Sequence, residues 1–153
     1  MITRRKRTET LIESDPALAA ELASTIKSAV EVIEVVPPRQ GLVMNQVRES
    51  ARNSRFYLGE ALMTECRVRA GDVEGLGVVL GSNDDLARSL AVIDAAYALG
   101  SACPVLEHVD RRIELAATEL MRRRQLEARK TMTSRVSFDT MGGQDMSVQA
   151  VVE

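Results

Sequence analysis

The chain has 153 residues, 45% of them hydrophobic and 27% charged, with a formal net charge of −2. That length supports one core, since two cores of half the length would both be marginal, and the apolar fraction excludes wholesale disorder. A slightly negative total also excludes a general nucleic-acid coat protein, so any anion site must be local.

The start, MITRRKRTETLIESDP, lacks the apolar stretch of a secretory signal, and no run is long enough to span a membrane, so the cytoplasm is the expected location. Arg4-Arg5-Lys6-Arg7 is a polar run without apolar partners. It reads as part of a frayed terminus over residues 1–14, ahead of a single domain over 15–141 and a flexible tail over 142–153. Asp15-Pro16 supplies the N-cap and first-turn proline of a helix whose stripe is Leu18, Leu22, Ile26 and Ala29.

From Val30 the period shortens to two and β-branched residues accumulate. VEVIEVV (30–36), GLVMNQVR (41–48), SRFYLGE (54–60), ALMTECRVR (61–69) and GLGVVLG (75–81) predict three to five strands, the first broken by Pro37-Pro38. Polar residues 49–53 and the Ala70-Gly71-Asp72 turn make short connections, which favour antiparallel neighbours. In ALMTECRVR, alternation sets Leu62, Thr64, Cys66 and Val68 on one face and Met63, Glu65, Arg67 and Arg69 on the other. Cys66 therefore points toward a core.

Ser82 to Asp85 reads as a capping box with Ser82 at the N-cap, opening a helix with the stripe Leu86, Leu90, Ile93 and Tyr97. Gly100 and Pro104 end it. A longer helix from about Pro104 to Thr131 aligns Leu106, Val109, Ile113, Ala117 and Leu120, and an extended tail begins at Ser134. The order helix, strand cluster, two helices, extended C-terminal tail predicts an α+β domain, an antiparallel β-sheet covered on one face by helices, rather than alternating βαβ units. Its core must be aliphatic, because two Tyr, two Phe and no Trp are available.

Few residues carry chemistry. Gly75, Gly77, Gly81 and Ser82, leading into a helix, are the nearest approach to an anion cradle, but they match no phosphate-binding motif, and Asp84 and Asp85 already occupy the helix's first turn. Cys66, Cys103 and the single His108 lack metal-ligand spacing, so no metal site is expected and the cysteines read as thiols. His108 has no catalytic partner and reads as a surface residue, so no catalytic residue is assigned. Arg122-Arg123-Arg124 fan around a helix and cannot clasp one ligand, which leaves a solvated or partner-facing surface. The segment Val136 to Met141 is apolar enough that a monomer would have to cover it.

From Gly41 to Met141 the sequence resembles the PhnG family, the small G subunit of the bacterial carbon-phosphorus lyase system. The markers are GLVM at 41–44, Arg55-Phe56-Tyr57, Gly59-Glu60-Ala61, Thr64, GLGVVLG, Ala91, Ile93-Asp94-Ala95 and the closing Ser134-Arg135-Val136-Ser137-Phe138-Asp139-Thr140-Met141. Ser82, Ser89, Ser137 and Asp139 stand where the family has other residues, arginine at the first two, which weakens the case for phosphate binding by that turn. The resemblance implies an assembly with H, I and J subunits, aided by the L protein, in which ATP is the substrate and a phosphonate displaces adenine to give ribose 1-methylphosphonate 5-triphosphate. Carbon-phosphorus cleavage would belong to the J subunit. The chain itself would hold no cofactor and touch neither nucleic acid nor membrane. Its role would be architectural or site-completing, with Arg135, Val136, Phe138, Thr140 and Met141 as the interface. The alternative is a small cytosolic enzyme or binding protein taking a phosphorylated metabolite at residues 75–82.

Overall fold

The computed structural model describes residues 2–133. The order is α1 (Arg4–Glu13), α2 (Pro16–Ala29), β1 (Ile33–Arg48), β2 (Arg55–Ala70), β3 (Val73–Leu80), α3 (Asp84–Leu99), a 3-10 turn (Gly100–Ala102) and α4 (Leu106–Thr133). The strands form one antiparallel sheet in the order β1-β2-β3, so the class is α+β as the segregation of elements predicts. The chain divides into two compact units, residues 1–120 and 121–153. In the second, residues 121–133 are the end of α4, with Met121, Leu126 and Met132 exposed.

Where fraying is expected at the start of the chain, α1 forms instead. Thr3 caps it by accepting from the Lys6 amide, and Arg7, Thr10 and Leu11 are buried. The basic run does have a partner, though a distant one. Arg7 donates to Asp94 Oδ1 at 2.9 Å and lays its guanidinium over the Tyr97 ring, 3.8 Å from the centroid. A cation stacked and paired in this way can be buried, which hydropathy alone does not register.

Helix α2 begins as expected, with Asp15 accepting from the Ala17 amide at 2.9 Å and Leu18, Leu22 and Ile26 buried, although Ala29 falls outside the core. The five apolar runs fuse into three strands. Pro37-Pro38 does not break β1: it sits inside a register shift between Val36 and Arg39, on an edge strand that can spare the missing donors. Thr64, Cys66, Val68 and Ala70 alternate onto the buried face, and α3 covers that face with Ala87, Ala91 and Ala95, all fully buried.

Its close approach depends on two glycines. A Cβ at Gly77 would stand 1.8 Å from the Ala87 carbonyl oxygen, and one at Gly75 would stand 2.1 Å from that of Ala91. Small residues on both sides bring the helix axis down onto the strand, and the surrounding core is aliphatic, with Leu22, Ile26, Ile93, Val109 and Ile113 fully buried. The α3 cap is Asn83 rather than Ser82. Asn83 Oδ1 accepts from the Leu86 amide at 3.1 Å, while Ser82 Oγ is taken by Gln40 Nε2 at 2.6 Å. The cap moves one residue on with the start of the helix, and it satisfies the amide three residues after it.

Candidate interaction surface

β1 and β2 are each 16 residues long, but β3 has only 8. The third strand pairs with β2 from Ala70 to Met63 and stops there at Leu80. Residues 41–48 and 55–62 therefore continue as a two-stranded ribbon, reaching about 27 Å at the usual antiparallel rise. Its tip is closed by polar bonds: the Glu49 amide donates to the Ser54 carbonyl at 2.9 Å, Ser54 Oγ to Glu49 Oε2 at 3.0 Å and Arg48 to Asn53 Oδ1 at 2.9 Å.

Its flanks are apolar. Leu42 is 64% exposed, Met44 57%, Tyr57 62% and Leu58 67%, with Val43 and Phe56 about half exposed. At the ribbon's base, Leu80 is 74% exposed. A two-stranded ribbon is marginal by itself, and a cluster of large side chains left in water is the mark of a surface that another molecule covers. The sequence carries the signal in Leu42-Val43-Met44 and Phe56-Tyr57-Leu58. Three consecutive apolar residues in a strand face both ways, so a sheet with helices on one side cannot hide them all. These residues, missing from the sequence-based interface, are the strongest docking candidates.

The residues proposed for an anion do not assemble into a cradle. Gly75 and Gly77 lie under the α3 backbone, which fills the space an anion would need there. Gly81 stands at φ +83°; its amide donates to the Leu62 carbonyl at 2.8 Å and its carbonyl accepts from Thr64 Oγ1 at 2.6 Å. The Ser82 hydroxyl is held by Gln40. Arg135, Val136, Phe138, Thr140 and Met141, the sequence-based interface, lie outside the described residues.

Cations gather instead beside the outer edge of β3. An open cavity of about 510 Å³ is lined there by Arg4, Arg7, Arg67, Leu76, Asp94 and Tyr97. Asp94 organises it: Oδ2 accepts from Arg4 at 2.7 Å and from the Leu76 amide at 3.1 Å, and Oδ1 from Arg7. The Leu76 amide belongs to an edge strand and would otherwise face solvent or a foreign strand.

Tyr97 is tied from the other side, its hydroxyl donating to Asp110 Oδ1 at 2.7 Å. Burial, then that bond and the Asp110 charge, push its phenol well above the ordinary tyrosine range. Cys66 and Cys103 are free buried thiols, and burial, reinforced by the Glu34 charge, pushes the Cys66 thiol up. His108 is exposed on α4. Among the described residues, no group of three or more His, Cys, Asp or Glu side chains could hold a metal ion, and no helix is long and apolar enough to cross a membrane.

The fold and surface define a small α+β domain with a cluster of exposed apolar side chains on a β-ribbon. The family model described as phosphonate metabolism protein PhnG matches residues 2–143. The chain belongs to that family, and with it to phosphonate metabolism. No curated protein matches the chain.

Proposed function

We propose that this chain is a non-autonomous subunit of a carbon-phosphorus lyase core complex, standing with H, I and J subunits and the L protein in the cytoplasm. The complex would displace adenine from ATP with a phosphonate, giving ribose 1-methylphosphonate 5-triphosphate, and this chain would shape or complete the site without supplying a reacting group. The carrying observation is the ribbon over residues 41–62, whose apolar side chains are exposed in a chain of the PhnG family. Burying a fully exposed large side chain gains about 1.5 to 3 kcal/mol. These are one half to two thirds exposed, so several must be covered together to offset the cost of association.

Co-expression of the chain with H, I and J subunits, followed by affinity capture and sizing, tests the role. The expected result is one stable species containing this chain, with phosphonate-dependent release of adenine that is lost when the chain is omitted. A monodisperse monomer with no affinity for the others, or full turnover without it, overturns the proposal.

A further inference from the structure

We infer that the cavity between α1, α3 and the outer edge of β3 is a binding site for a phosphorus oxyanion, held by the side chains of Arg4, Arg7 and Arg67. Three guanidiniums line this space against the carboxylates of Asp94 and Glu74. Glu74 is spoken for by Arg69, which bonds it at 2.8 Å, so the local group counts four cations to two anions. Arg67 makes none of the ion pairs found among the described residues.

Asp94 does not cancel the site; it aims it. The carboxylate takes one bond from each of Arg4 and Arg7 and orients both; the exposed Arg4 keeps most of its donors for a ligand, while the largely buried Arg7 adds mainly its charge. Arg7 is further clamped by the Tyr97 ring, with a side chain only 7% exposed, so little rotamer freedom is left to lose on binding.

A second observation points the same way. Arg4, Arg5, Lys6 and Arg7 occupy the first turn of α1, a ten-residue helix with no acidic residue there. Cations at that end add to the positive pole of the helix dipole rather than opposing it. Glu9 pairs with Lys6 at 3.6 Å, and the single charge of Asp94 is shared by Arg4 and Arg7, so the cations of this end still outnumber the carboxylates that pair with them. The rest of the lining, Gly75, Leu76, Tyr97 and Ala98, puts an apolar flank beside the cations, and the open cavity of about 510 Å³ leaves room for an organic group on the anion. The geometry calls for an oxyanion; that its central atom is phosphorus rests on the family's place in phosphonate metabolism. The contacts come from guanidinium side chains and not from the amides of the turn over residues 75–82.

Titration calorimetry on the full chain, alone or within its co-purified assembly, tests the site with methylphosphonate, a ribose phosphate, ATP, inorganic phosphate, sulfate and acetate. Saturable binding of one or more phosphorus anions is expected, weakened about tenfold or more by Arg67→Gln and by Arg4→Gln. Arg52→Gln at the ribbon tip should leave it unchanged. Both test positions are exposed, so circular dichroism and the unfolding midpoint should match the parent. The ranking of methylphosphonate against the phosphate esters tells which phosphorus chemistry the site prefers. No saturable binding, equal binding of sulfate or acetate, or affinity insensitive to both arginines overturns the inference. Subunit capture is read separately, so loss of one result does not imply loss of the other.

Discussion

Two glycines illustrate how one residue type answers two physical demands. Gly77 has ordinary backbone but no room, and Gly81 has room but a left-handed backbone. Gly77→Ala should force α3 off the sheet and cost about 3 kcal/mol, whereas Gly81→Ala should cost about 1 kcal/mol through strain alone. Chemical denaturation of the two variants checks the order, and equal losses would refute the packing account. Tyr97 gives a prediction in pH. Its folded phenol titrates above the unfolded one, so its contribution to stability is complete below about pH 10 and is lost as the pH climbs toward the folded value. Tyrosinate absorbance should show one tyrosine titrating later in the folded chain than after unfolding, and Tyr97→Phe should abolish that lag. Arg7, Asp94 and Tyr97 also mark a limit of sequence reading. Asp94 was visible as a motif residue, but its partners lie 87 and 90 positions away, and no local pattern joins them.

Among the elements, α2, α3 and α4 were legible because apolar stripes at helical spacing coincide with caps and breakers. Helix α1 was not, since its buried side is an arginine and a threonine with a single leucine. The strands were legible as apolar runs but not as lengths, because Pro37-Pro38 reads as a break where an edge strand absorbs it within a register shift. The ribbon follows from that fusion, and it separates docking from folding. Phe56→Ser with Leu58→Asp removes two exposed apolar side chains, so the isolated chain should keep its stability to within about 0.5 kcal/mol. Capture by partner subunits should fall sharply. A destabilised monomer, or undiminished capture, would contradict a docking role for the ribbon.

At the scale of the molecule, the covered face of the sheet is packed and the ribbon is not, and thiol chemistry can report on the packed part. Cys66 is 0% exposed and Cys103 3%, so thiol reagents should modify both only at the rate of unfolding, with no fast-reacting thiol. A thiol that reacts at once in native buffer would show that the core opens locally. Much of the candidate interaction surface could have been foreseen from Leu42-Val43-Met44 and Phe56-Tyr57-Leu58, whereas the arginine cavity could not, because it draws on α1, β2 and α3 together. The ribbon has one more consequence. A copy made in excess displays an unprotected hairpin with greasy flanks, the kind of segment that chaperones retain and proteases nick first. Under the proposed subunit role, orphan copies would be removed faster than assembled ones, and the supply of this chain would be matched to that of the partner shielding the hairpin.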